Sequence, residues 1–244
     1  MNMNIHVLKN AQELGREAAA FSAEIINKTI DQKGMVRLVL STGASQFETL
    51  EALIQLDIDW SKVEMFHLDE YVALSEQHPA SFRKYLKERF VSKVPLHKVH
   101  YVNGEVNLHD HIAVLTHEIR KAPIDLALIG IGENAHIAFN DPPANFDTKE
   151  AYIVVDLDDS CKNQQVGEGW FATLDEVPNQ AISMTVHQIM QSEIIVSCVP
   201  HQVKAKAIKD FYTSDVSNQI PATILKTHPN FTLFLDEQSA SDTF

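Results

Sequence analysis

The chain has 244 residues, 45% of them hydrophobic and 22% charged, with a formal net charge of −13. Those values suit a globular protein that buries a core, and the acidic balance excludes a broad nucleic-acid surface, which needs clustered lysine and arginine to meet phosphates. A pocket for one small anion stays open, because a local field can oppose the net charge.

Cys161 and Cys198 are the only cysteines, too few for a paired-cysteine metal motif or a disulfide scaffold. The opening "MNMNIHVLKNAQELGREAAAF" lacks the basic start and continuous apolar stretch of a signal peptide, and no apolar run reaches membrane-spanning length. The expectation is a soluble cytoplasmic protein with no membrane or nucleic-acid partner.

A short first strand precedes a helix over Ala11 to Asp31, where Leu14, Ala18, Phe21, Ile25 and Ile26 recur at helical spacing. "KGMVRLVLSTG" reads as a turn and a buried strand, and "SQFETLEALIQL" as a helix. "VEMFHLDE" is a strand, "PASFRKYLKERF" a helix, "KVHYVNG" a short strand and "NLHDHIAVLTHEIRKA" an amphipathic helix. "IDLALIGIG" is a strand ending in glycines. Beyond it, "AYIVVDLD", "EIIVSCVP" and "FTLFLDE" read as strands, "AISMTVHQIMQ" and "HQVKAKAIKDFY" as helices. The stretch from Asp158 to Asn179 is the least regular and reads as a lid or an insertion near a site. Strands alternate with helices throughout, so the expected fold is α/β, a mostly parallel sheet with helices on both faces. No repeat or linker divides it, and residues 1–244 read as one domain.

In open sheets of this kind, ligands bind beyond the carboxyl ends of the strands, and three such ends carry reactive residues. At the first, Ser41, Thr42, Gly43, Ala44 and Ser45 separate a strand from a helix. Small residues let backbone N–H groups approach an anion, and hydroxyls add donors. The stretch lacks the Gly-Lys-Ser/Thr ending of a Walker loop, and alone it also fits an ordinary turn with Ser45 as a helix cap. At the second, Asp69 and Glu70 offer a carboxylate that desolvation would turn into a proton-transfer base, though both also fit a solvated loop. At the third, "GIGENAHIAFNDPP" gathers Asn134, His136, Asn140 and Asp141 behind a glycine turn. A histidine exchanges protons near neutral pH and a carboxylate fixes its tautomer. Together the three ends point to proton chemistry on a phosphorylated small molecule.

These stretches resemble the glucosamine-6-phosphate deaminase/isomerase family, which also includes 6-phosphogluconolactonases. "STGAS" is similar to its phosphate loop, "HLDEYVALSEQHPASF" to its Asp-Glu-Tyr stretch with His-Pro-x-Ser downstream, and "GIGENAHIAFNDPP" to its Gly-x-Gly-x-Asp-Gly-His-Ile-Ala-Phe-Asn-Glu-Pro signature. "VPNQAISMTVHQIM", "KAKAI" and "TILKTHPNFTLFLDE" extend the likeness to the last strand. The residue after Asp-Glu is not the arginine usual in the lactonase branch, so the resemblance leans to the amino-sugar branch.

The resemblance implies a modified Rossmann-like fold and a reaction without metal or cofactor, in which glucosamine 6-phosphate is opened, isomerised from aldose to ketose and stripped of ammonia to give fructose 6-phosphate. By motif position His136 handles the ring-oxygen proton, Asp69 moves the C2 proton, and Asp141 orients His136 with Asn134 beside it. Thr42, Gly43, Ala44, Ser45 and Lys204 hold the phosphate, and Glu70 joins the substrate contacts. A second copy of the chain stays open as a partner.

The match departs from the family at three places. Its Asp and Gly before His are Asn134 and Ala135 here, its Glu is the shorter Asp141, and its phosphate-gripping arginine has no counterpart in "CKNQQVGEGWF", where Lys162 and Gln165 are the substitutes on offer. Galactosamine 6-phosphate as substrate, a lactonase-type hydrolysis, and a sugar-phosphate-binding protein with weakened catalysis therefore remain as alternatives. Other features read as structural. "HDH" at 109–111 puts two histidines on different helix faces, the basic stretch "KYLKERFVSK" reads as a solvated face, and Tyr71, Phe82, Phe139 and Trp170 read as packing.

Overall fold

The computed structural model describes residues 3–244. In chain order the elements are β1 (Asn4–Leu8), α1 (Ala11–Lys33), β2 (Val36–Leu40), α2 (Phe47–Leu53), β3 (Val63–His67), β4 (Asp69–Tyr71), α3 (Phe82–Leu86), β5 (Lys98–His100) and α4 (Leu108–Ile119). They continue with β6 (Leu126–Leu128), β7 (Tyr152–Asp156), α5 (Asp159–Gly167), β8 (Gln180–Met184), α6 (Val186–Ile189), β9 (Ile194–Val199), α7 (Ala205–Thr213), β10 (Phe231–Asp236) and α8 (Glu237–Ala240).

Seven strands form one sheet in the order β1-β10-β9-β6-β2-β3-β5, and every pairing in it is parallel. A parallel sheet is covered on both faces, so its strands read as continuous apolar runs; β2, "VRLVL", is buried at all five positions. Successive side chains point to opposite faces. Val39 joins Ala127, Ile195 and Leu233 in one core under α4 and α7. Leu38 and Leu40 join Leu126, Leu128, Val196 and Phe234 in the other, under α1, α2 and α3. Helix α1 starts where the Asn10 side chain accepts from the Glu13 N–H at 2.9 Å. It runs two residues past the expected end, to Lys33, and is closed by Gly34, whose φ of +80° turns its N–H back to the Ile30 carbonyl.

Two expectations are corrected. "VEMFHLDE" is not one strand. The chain leaves the parallel sheet at Leu68, whose N–H donates to Leu40 of β2 and whose carbonyl accepts from Met184 of β8. Asp69–Tyr71 then begins a separate antiparallel sheet in the order β4-β8-β7. "AISMTVHQIMQ" is half strand: Gln180–Met184 is the central strand of that small sheet, and only Val186–Ile189 is helical, capped by Thr185. A short apolar run does not distinguish strand from helix by periodicity; two neighbouring strands needing a partner decide it. Among the described residues, no helix is long and apolar enough to cross a membrane.

Glu70 is also corrected. Its side chain is fully buried and turned away from solvent, accepting from the Tyr71, Phe82 and Arg83 N–H groups and the Ser81 hydroxyl at 2.8–3.2 Å. The buried Arg83 guanidinium lies 3.3 Å away and reaches on to Asn103, Leu74 and Glu105. Burial pushes the Glu70 carboxyl above its ordinary range, and these donors work against that rise. The residue therefore anchors α3 to β4. Removing one member of a buried pair strands the other charge, so Arg83→Met should lower unfolding free energy by about 3–5 kcal/mol in urea titration.

Candidate active site

The order of the large sheet reverses at β2 and β6: from β2 the chain winds outward through β3 to β5, and from β6 the other way through β9 and β10. Adjacent strands of opposite winding leave a crevice at their carboxyl ends. A cavity of 300 Å³ occupies that crevice, the size of a small-molecule pocket. The loops after β2 and β6 are stitched together there, Ser41 N–H to the Leu128 carbonyl at 3.0 Å and Gly130 N–H to the Ser41 hydroxyl at 3.1 Å.

Thr42, Gly43, Ala44 and Ser45 all line the cavity. Gly43 has φ +101°, open to glycine at little strain, and its carbonyl accepts from the Tyr85 hydroxyl at 3.0 Å. Lys204, at the foot of α7, faces the same cavity with its side chain 8% exposed; burial lowers its pKa, and the carboxylates of Glu168 and Glu133 oppose that fall. Loop and lysine thus face each other across one cavity.

Asp69 lines the cavity at the bend between the two sheets and is 6% exposed. Burial, with the charge of neighbouring Glu70, pushes its carboxyl up to about 8. A carboxyl so desolvated exchanges protons near neutral pH.

His136 faces Asp69's cavity from the loop after β6. Its Nδ1 lies 2.8 Å from Asp141 Oδ1, which assigns the proton to Nδ1 and leaves Nε2 as the nitrogen for a ligand. Asn134 bridges the pair: its carbonyl oxygen accepts from the His136 N–H at 3.1 Å and its amide donates to Asp141 Oδ1 at 3.0 Å. An ionised aspartate at 134 would supply only the first of these bonds. Burial works against the Asp141 charge, but the His136 and Asn134 contacts outweigh it and hold the carboxyl below its ordinary value. Neither Asn134 nor Asp141 lines the cavity; both stand behind His136, in contact with it. The ring lies flat over Gly132, where an added Cβ would come within 2.3–2.5 Å of it.

The irregular segment does cover the site. Helix α5, started by Asp158, contributes Gln164, Gln165 and Gly167, and the chain beyond it adds Glu168 and Trp170. Of the two offered arginine substitutes, Gln165 lines the cavity and accepts from the Tyr71 hydroxyl at 2.6 Å, whereas Lys162 reaches away to Asn179. Phe82, Phe139 and Trp170 pack and also wall the cavity; Tyr71 is wholly buried behind them. The sequence reading missed Glu133, Glu168, His201 and Val203. His201 follows the end of β9, so the strand-end rule that found the other three loops applies to it as well. His109 is solvated at the start of α4, and the Nε2 of His111 accepts from the Asn103 N–H. Among the described residues, Glu64, His100 and Glu118 bring metal-type ligand atoms within 4.8 Å of one another. They lie outside the cavity, and Arg37, Lys98 and Lys121 already match the two carboxylates.

Two outcomes follow from this geometry. Gly132→Ala should displace the His136 ring while leaving thermal stability largely intact, shown by a shifted His136 ring resonance in NMR. Asp69 has its folded-state pKa raised from 3.8 to about 8, so the folded form holds its proton through that window and the unfolded form does not. Stability should fall as pH rises from about 4 to about 8. Asp69→Asn should flatten that fall, as measured by urea denaturation at each pH.

The profile of the family described as "Glucosamine-6-phosphate isomerases/6-phosphogluconolactonase" matches residues 9–234. A glucosamine-6-phosphate deaminase of Lactobacillus delbrueckii subsp. bulgaricus is 32% identical over 240 residues, covering 98% of this chain and 99% of the relative. One of Thermoanaerobacter pseudethanolicus is 34% identical over 247 residues, covering 98% and 94%. Among solved structures, a monomeric glucosamine-6-phosphate deaminase superposes with a TM-score of 0.88 at 26% identity, over 98% of this chain and all of the other. A 6-phosphogluconolactonase of Thermotoga maritima shares the fold with a TM-score of 0.79 at 17% identity, over 96% and 100%. The chain belongs to the glucosamine-6-phosphate isomerase/6-phosphogluconolactonase family.

Proposed function

We propose that this chain is a glucosamine-6-phosphate deaminase, one catalytic domain converting glucosamine 6-phosphate and water to fructose 6-phosphate and ammonia. The observation that carries the reading is that Asp69 and His136 face one cavity with the Thr42–Ser45 loop and Lys204. The full-length likeness to curated deaminases supports it as well.

In this reading the phosphate sits on the loop and Lys204, which fixes the sugar against the two proton-transfer groups and removes the entropic cost of aligning them. His136 takes the proton of the C1 hydroxyl at Nε2 and returns it to the ring oxygen, opening the ring. Asp141 and Asn134 hold the imidazole in its tautomer through the transfer. Asp69, once ionised, removes the C2 proton and delivers it to C1, giving the ketose imine. Water adds at C2 and ammonia leaves. A base with a pKa near the working pH suits this step, because it both loses and regains its proton readily.

Purified protein should release ammonia from glucosamine 6-phosphate. Galactosamine 6-phosphate and 6-phosphogluconolactone serve as parallel substrates that separate the epimer and the ester-hydrolysis alternatives. In deuterated water Asp69→Asn should lose incorporation of solvent deuterium into the product; undiminished uptake would remove Asp69 from the proton transfer.

A further inference from the structure

The cavity's charge balance is unusual for a site that binds a phosphate dianion. Glu133 and Glu168 both line it, against a single lysine, Lys204. Glu168 is not a loose surface group. It follows the last turn of α5, and its two oxygens are held by different donors, Oε1 by the Gln164 amide at 2.8 Å and Oε2 by the Trp170 indole N–H at 3.0 Å. Oε1 stands 3.9 Å from Lys204 Nζ.

We propose that Glu168 is a specificity-determining residue, making the cavity select phosphorylated ligands that also carry a cationic amine over those that carry phosphate alone. The inference rests on the reading of the cavity as an amino-sugar-phosphate site and extends it to the basis of discrimination. A phosphate seated on Lys204 lies within a few ångströms of a carboxylate that its two donors keep from swinging away. Repulsion between the two is only weakly screened in a pocket walled by Phe82, Phe139 and Trp170. A neutral sugar phosphate has nothing to offset that repulsion. An amino-sugar phosphate brings a protonated amine, whose attraction to the acidic wall returns what the phosphate loses. Specificity is a difference of affinities, and a repulsive group set against the wrong ligand creates it as effectively as a new contact to the right one. The wrong ligand here is any sugar phosphate that would fill the site and has no ammonia to release.

The test is isothermal titration at pH 7 with inorganic phosphate, glucose 6-phosphate and glucosamine 6-phosphate, on the wild type, Glu168→Gln and Glu168→Asp, with melting temperature confirming the fold. The glutamine variant should bind inorganic phosphate and glucose 6-phosphate about tenfold more tightly. Its affinity for glucosamine 6-phosphate should change far less, so the preference for the amino sugar collapses. The aspartate variant should keep most of that preference. Equal changes for all three ligands, no change, or loss of all binding in a folded glutamine variant would each overturn the proposal. The ammonia assay is read separately: a wild type that releases none while the three affinities still shift as described removes the deaminase reading and leaves Glu168 in its role.

Discussion

The bend at Leu68 is the constraint on which the site depends. One residue serves both sheets, donating its N–H to Leu40 of β2 and accepting at its carbonyl from Met184 of β8. Because both bonds come from buried backbone, the chain is fixed on either side of the turn, and the next residue, Asp69, is held at the carboxyl edge of the parallel sheet without freedom to retreat into water. Burial of that carboxyl follows from the bend, and the raised proton affinity follows from burial. Had β3 run straight on, Asp69 would have emerged into solvent as an ordinary ionised acid.

The second half of the site is built differently. His136 is placed by a tight turn in which Gly132 N–H donates to the His136 carbonyl and Ala135 N–H to that of Gly132. Electrostatic order comes from one acid and one amide: the Asp141 carboxylate stands 2.8 Å from the ring's Nδ1, and Asn134 donates to that carboxylate without adding charge. A second carboxylate at 134 would sit against Asp141 in a half-buried setting and compete with it for the same proton. The amide and the shortened acid thus form a compatible pair, and the departures from the family pattern at 134 and 141 make sense together rather than singly.

Much of this was legible from residue order, and the failures have physical causes. Val36–Leu40, Leu126–Leu128 and Phe231–Asp236 are mostly apolar and buried at every position, as strands covered on both faces must be, and the helix from Ala11 announces itself by spacing and by its Asn10 and Gly34 ends. The reactive residues were findable because strand ends are where α/β sheets bind ligands. Glu70 was misread although strand geometry contains the answer: neighbours on a strand point to opposite faces, so if Asp69 meets the cavity, Glu70 turns away from it, into the grip of Arg83. The small sheet was hidden because its strands are short, and their pairing depends on segments far apart, Asp69–Tyr71, Tyr152–Asp156 and Gln180–Met184. Glu168 lay in a stretch with no periodicity to reveal which way a side chain points.

The turn that carries His136 holds Ala135 at φ +62° and Ala138 at +50°, in the region that side chains with a Cβ avoid at a cost of roughly 1–2 kcal/mol each. The turn's own hydrogen bonds are supplemented by bonds from outside it. The carbonyl of Ala135 accepts from Ala222 at 2.8 Å, and Asn140 is tied to Met184. The loop therefore borrows its shape from the segment after α7 and from the small sheet. On warming, loosening of either support would let these alanines relax toward negative φ and swing the histidine off its acid while the parallel sheet is still intact. Heat inactivation would then precede heat denaturation, with the active site behaving as a separate, less durable layer laid on a sturdier frame.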